Sequence, residues 1–240
     1  MFPALPSGEL LRMQAEWLAP ARARLLRRAG VARRRRILDL GAGYGAVTGE
    51  LARRGGGFVA ALDRVETAVS TGSAQAASTG SVCGDARRLP FADSSFDLVF
   101  SQCVLLWAGL TRAAAEIHRV LEPGGVLIAL EPDYAGMIEY PPEIETRDIW
   151  LAALARAGAE PRIGRLLPGV LAEQGFEVRV DLLDSLVMPS RTRFDFLRTL
   201  LLTPDEVEAL ERAAASAARL GGEWRQIVHL PFFLISATKI

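Results

Sequence analysis

Apolar residues recur at helical spacing over residues 8–28, at Leu10, Leu11, Trp17, Leu18, Leu25 and Leu26, with Pro20 between them. Proline lacks the amide that a helix interior needs, so the pattern predicts two short helices meeting at Pro20. From residue 37 the period changes. Compact apolar runs at 37–40, 58–62, 96–100 and 126–130, and a briefer one near 81–83, read as strands. Helical patterns fall between them. One follows Gly43, with Val47 and Leu51 on one face and Arg53-Arg54-Gly55 as its stop. Another has Ala114, Ile117 and Leu121 on one face, Thr111 as its cap and Pro123-Gly124-Gly125 as its stop. The stretch 65–80, rich in Ala, Ser and Thr, predicts a poorly specified helix and loop.

Strands that alternate with helices imply a parallel sheet covered on both faces. The alternation breaks between Pro132 and Pro161, where a helix is expected over 143–156. A helix over 166–174 and a strand over 176–182 resume it. Residues 193–202 read as helical. Thr203-Pro204-Asp205-Glu206 is a capping box with proline at the first helical position, which opens a helix running to about residue 220. The last strand spans 227–239, with a bend at Pro231. The expected fold class is α/β: seven strands, mostly parallel, with helices on both faces. Residues 1–240 form one domain, its core at about 30–132, 164–182 and 225–240. A helical cap is drawn from about 1–29, 133–163 and 190–222.

Half of the 240 residues are apolar, which excludes a disordered chain. The formal net charge is zero, so no long-range field attracts nucleic acid or an anionic membrane. Arginines at 22, 24, 27, 28 and 33–36 cluster before the first strand. No aromatic residues interleave them, and they read as a solvated helix face and strand entry. Two cysteines, Cys83 and Cys103, and two histidines, His118 and His229, lack metal-site spacing, so no metal is expected. No apolar run has transmembrane length and no signal-type leader is visible, so the expectation is a cytoplasmic protein without a membrane span.

The chemistry concentrates after the first strand, in Asp39-Leu40-Gly41-Ala42-Gly43-Tyr44-Gly45-Ala46. The glycines let backbone approach a ligand closely, and a helix N-terminus is expected to point amide donors at it. Gly41 to Ala46 formally matches the dinucleotide fingerprint, with Asp63 at about the ribose-binding distance. On that match alone, an NAD(P)-dependent oxidoreductase is an alternative. Asp39, inside the strand end, instead suits a ligand carrying positive charge. Three acids, Asp39, Asp63 and Asp85, stand at three successive strand ends. One such acid alone would be read as a cap or loop residue; three together with the glycine turn point to a ligand site.

This ordered set of motifs resembles the class I S-adenosylmethionine (SAM) dependent methyltransferases, in the small-molecule, methyltransferase type 11-like branch. The resemblance is strongest over residues 36–132. It implies a Rossmann-like sheet, SAM as cofactor and a small-molecule acceptor. By resemblance, Gly41, Ala42, Gly43 and Gly45 pack their backbone against the methionine and ribose portions. Asp39 meets the ligand ammonium, directly or through water. Asp63, with Arg64 beside it, takes the ribose hydroxyls, and Asp85 and the Ala86 amide take the adenine. Ser101, Gln102 and Cys103 lie where the family offers carbonyls to the ammonium and side chains to the acceptor.

Asp133, Tyr134, Glu139 and Tyr140 follow the fifth strand and are candidates for a base, if one is used. Asp93, Asp97 and an exposed Glu116 read as structural. His118 and His229 read as solvated or satisfied side chains, and Cys103 as a small apolar filler rather than a nucleophile. The chain departs from the branch after its fourth strand, where Val104-Leu105-Leu106-Trp107 replaces a His-rich stretch. Neither the Pro-Pro motif nor the Pro-Cys motif of nucleic-acid methylating enzymes stands there. A catalytically idle SAM-binding module is the remaining alternative. Trp17, Trp107, Phe194 and Phe196 are expected to help enclose an acceptor pocket.

Overall fold

A computed structural model describes residues 5–66, 79–183, 190, 192–220 and 224–240. The first helix, α1 (Gly8–Arg28), is continuous, with Pro20 inside it, so the expected pair of helices is corrected to one. Its apolar face explains the correction. Ala15, Leu18, Ala21, Leu25 and Leu26 are buried along one stripe on both sides of Pro20, and packing holds the two halves collinear. Ser7 caps the start, its hydroxyl accepting from the Leu10 amide at 3.3 Å.

The sheet is built from β1 (Arg36–Leu40), β2 (Phe58–Asp63), β3 (Thr79–Cys83), β4 (Phe96–Gln102) and β5 (Leu121–Pro132), which are parallel, together with β7 (Phe176–Leu182) and β9 (Phe232–Lys239). Its order is β3-β2-β1-β4-β5-β9-β7, and β9 runs opposite to the other six strands. The expected seven-stranded, mostly parallel sheet is therefore present. The last strand is split at Pro231. The segment before the bend, β8 (Ile227–His229), leaves the sheet and pairs with β6 (Ile138–Tyr140).

Alternation along β1 feeds two cores. Leu38 and Leu40 face one side with Leu62, Val99 and Leu127, while Ile37 faces the other with Val59, Leu98 and Phe100. The first side is covered by α3 (Leu110–Val120) and α5 (Ile163–Glu173), the second by α1 and α2 (Thr48–Arg54). Further boundaries differ from expectation. Thr111 lies inside α3, whose N-cap is Gly109. Leu121 belongs to β5, because the residue before Pro123 is pushed toward extended backbone and the helix ends first. The expected helix at 143–156 is shortened to α4 (Arg147–Arg156), and that at 193–202 to α6 (Thr192–Arg198). The helix expected within 65–80 lies mostly outside the described residues.

The capping box appears as read. At the start of α7 (Pro204–Leu220), the Thr203 amide donates to Glu206 at 2.8 Å and the Glu206 amide donates to the Thr203 hydroxyl at 3.3 Å. Among the described residues no helix is long and apolar enough to cross a membrane, and no group of His, Cys, Asp or Glu is arranged to hold a metal.

Candidate active site

In an open α/β sheet, ligands sit beyond the carboxyl ends of the strands where the order reverses, here between β1 and β4. A cavity of about 230 Å³ occupies that place. The glycine turn forms its floor. Gly41 has φ +74° and its hydrogen side faces Val104, whose Cγ2 would lie 2.2 Å from any added Cβ, so no side chain fits. Gly43 has φ +51°, and Leu11 of α1 packs over it. The helix expected directly after Gly43 begins only at Thr48, so a turn rather than a helix end faces the cavity. Leu5, Pro6, Leu11 and Gln14 make the N-terminal segment a wall of the same cavity.

The three acids converge as the strand ends dictate. Asp39 lines the cavity, is 3% exposed, and accepts from the Thr48 hydroxyl at 2.6 Å. Burial is the main influence on it and raises its pKa to about 6, against the lowering effects of Thr48 and Arg22. Asp63 accepts from the Gly43 amide at 2.8 Å on one oxygen and from the Val65 amide at 3.0 Å on the other. A carboxylate has about four lone-pair sites, so capacity for two hydroxyls remains. Asp85 is half-buried, and Arg87 holds its carboxyl below the usual range, chiefly through their side-chain bond at 2.5 Å. Ala42, Gly43, Arg64, Ala86, Gln102 and Cys103 also line the cavity. Gly45 and the fully buried Ser101 do not.

This donor set fits SAM. Asp39 and Asp63 would take its cation and hydroxyls, and Asp85 and the Ala86 backbone would take the adenine.

Past β4 the wall changes character. The chain turns at Cys103, φ +58°, into a short 3-10 helix at Leu105–Trp107. Glu131, fully buried at the end of β5, accepts from the Val104 amide at 3.1 Å and the Leu105 amide at 2.9 Å, and so pins that turn. Burial raises the Glu131 pKa to about 7, with those amides pulling the other way. Burial also pushes the Cys103 thiol well up, with Glu131 adding to it, so Cys103 is no thiolate nucleophile.

Of the base candidates, Tyr134 lines the cavity, and burial drives its phenol well above the ordinary value. Asp133, Glu139 and Tyr140 are not brought to the cavity. Asp133 is paired with Arg165 at 2.5 Å. Glu139 accepts from the Thr146 and Arg147 amides at 2.8 Å each and pairs with Arg193 at 3.2 Å. Tyr140 is 59% exposed on β6. Trp107 and Phe196 line the cavity, as do Trp150, Leu154, Thr199 and Leu200, which sequence reasoning did not name. Trp17 instead meets Phe232 edge-on at 5.2 Å, and Phe194 is buried in the core.

Two readings of polar residues are corrected. Arg22 is not solvated but 3% exposed, because it bonds Glu50 at 2.6 Å, the Ala15 carbonyl at 2.9 Å and Gln102 at 3.0 Å. It ties α1 to α2 and to the end of β4. A signal was available, since Arg22 falls four residues after Leu18 on the apolar face. Glu116 is half-buried rather than exposed, and accepts from the Leu89 amide at 2.7 Å and from Arg119.

Residues 38–129 match the family model described as a methyltransferase domain. The bifunctional biotin-biosynthesis protein BioHC of Cellvibrio japonicus is 44% identical over 94 residues, 38% of this chain and 18% of that protein. A malonyl-[acyl-carrier protein] O-methyltransferase of Erwinia pyrifoliae is 37% identical over 106 residues, 44% of this chain and 40% of that one. The chain thus matches less than half the length of these relatives. The solved structure of a geranyl diphosphate methyltransferase in complex with SAM shares the fold, with a TM-score of 0.62 at 15% identity over 95% of this chain and 85% of that one. The chain thus carries a methyltransferase domain over residues 38–129, with SAM as its cofactor.

Proposed function

We propose that this enzyme transfers a methyl group from SAM to a small molecule held between the helical cap and the ends of β4 and β5. One observation carries the reading: a single cavity runs from Asp39, Asp63 and Asp85 to Trp107, Tyr134 and Phe196. SAM, when bound, supplies an electrophilic methyl group. Asp63 and the glycine turn hold the ribose end, and Asp39 favours a positively charged tail. The Glu131-pinned turn and the aromatic wall keep water away and fix the acceptor's approach. Residues 1–240 work as one domain, with the cap closing over the sheet.

The family match ends at residue 129, before Tyr134, Trp150, Phe196 and Leu200. The relatives' acceptors therefore do not carry over to this chain. The test is formation of S-adenosylhomocysteine across a library of small-molecule acceptors. Turnover that needs both an acceptor and Asp63 supports the proposal. Tight cofactor binding with no turnover on any acceptor favours an idle binding module.

A further inference from the structure

The cavity has two chemically different halves, and they follow the strand order. Over β1, β2 and the turn after β3, the lining carries Asp39, Asp63, Arg64, Asp85 and Arg87. Over β4, β5 and the cap, the wall is built from Trp107, Tyr134, Trp150, Leu154, Phe196 and Leu200. Tyr134 and Trp150 stack on one another, centroids 4.7 Å apart and planes 28° from parallel. The Thr199 hydroxyl beside them already donates to the Phe196 carbonyl at 2.6 Å. Asp133 and Arg193, charged groups on the same cap elements, are paired with Arg165 and Glu139.

A charged group moved from water against this wall loses its hydration and gains dispersion contacts in return. A flat neutral ring gains contact and has little hydration to lose, and aromatic walls favour it further through offset and edge-on packing. We propose that the cap half of the cavity selects a flat, neutral, largely apolar acceptor and discriminates against carboxylates. This rests on the methyltransferase reading above. A malonyl group, whose reactive end is a carboxylate, is unsuited to this wall.

The experiment is titration calorimetry at neutral pH on the full chain, first with S-adenosylhomocysteine and then, on the saturated protein, with three probes sharing one ring system. These are 2-naphthol, 2-naphthoate and 2-naphthylmethylammonium. The expected result is that 2-naphthol binds about ten-fold or more tightly than either charged probe, the cost of burying an uncompensated charge. Phe196→Ala and Leu200→Ala should each weaken 2-naphthol while leaving S-adenosylhomocysteine affinity unchanged.

A charged probe that binds as tightly as 2-naphthol overturns the proposal. So does 2-naphthol that fails to bind, or that binds both variants like the wild type. If S-adenosylhomocysteine itself does not bind the wild type, the methyltransferase reading falls and this inference with it. If it binds and 2-naphthol is refused, the acceptor proposal falls alone.

Discussion

In the proposed site, the buried Asp39 would couple proton and ligand. Burial lifts its pKa from 3.8 to about 6, so a modest acidification discharges it. A ligand ammonium nearby favours the charged form, so binding at acid pH must expel a proton. S-adenosylhomocysteine affinity should therefore fall as pH drops below about 6. Calorimetry near pH 5.5 in two buffers of different ionisation enthalpy should register proton release, and Asp39→Asn should abolish it. At Asp63, removal of the carboxylate in Asp63→Ala should weaken the same ligand by about 1.5–3 kcal/mol, the scale of hydrogen bonds to a charged group. A folded variant with unchanged affinity would take Asp63 out of the site. The three acids were legible because each lies at or just past the carboxyl end of a strand, and a parallel sheet brings such ends to one edge. Glu131 was not. It too ends an apolar run, but its partners, the Val104 and Leu105 amides, come from a turn whose geometry no local pattern announces. Trp150 and Leu200 were missed for a related reason, since helical spacing marks a face as buried without saying whether a core or a cavity lies against it.

Elements, unlike single side chains, are decided by what packs on them. α1 runs through Pro20 because the buried stripe from Ala15 to Leu26 holds both halves, and Pro20 itself is exposed. Pro20→Ala should restore a helix amide and raise stability by about 1–3 kcal/mol in urea unfolding; a loss of stability would mean that the proline shapes the helix. The turn after β4 depends on Glu131. Its folded-state pKa, about 7, lies above the ordinary 4.5, so the folded chain binds this proton more tightly than the unfolded one. The associated stability is present below about pH 4.5 and is lost as pH rises through 7. Glu131→Gln keeps an acceptor without the charge. Its stability relative to wild type should therefore rise between pH 5 and 8, by an amount on the order of 3 kcal/mol at most. Glu131→Ala, which leaves two amides without their acceptor, should cost about 1–3 kcal/mol per amide. A flat Gln-minus-wild-type difference across that range would contradict the raised pKa of Glu131. The capping box of α7 was legible because its hydrogen bonds close within four residues. The start of α4 and the departure of β8 from the sheet were not, because each is set by a distant strand or by the cap.

At the scale of the whole molecule, strand order places the charged half of the cavity over β2 and β1 and the aromatic half over β4 and β5, with α1 and the cap helices as walls. Arg34 and Arg36, from the basic cluster, serve this frame. Arg34 donates to the Ala29 and Asp97 carbonyls at 3.0 Å, and Arg36 pairs with Glu122 at 2.6 Å. With zero formal net charge, the chain should leave duplex DNA unshifted at physiological salt. The fold class was legible because period-two and period-3.6 patterns alternate through the first half of the chain; the cap was visible only as helices without a partner. Ligand that binds only the native state raises the melting temperature by mass action. The most direct measurement is therefore a thermal-shift series with SAM, S-adenosylhomocysteine, NAD and NADP at equal concentration. A rise with SAM and S-adenosylhomocysteine, absent with NAD and NADP and diminished in Asp63→Ala, is the predicted result. A rise with NAD or NADP alone would contradict the account.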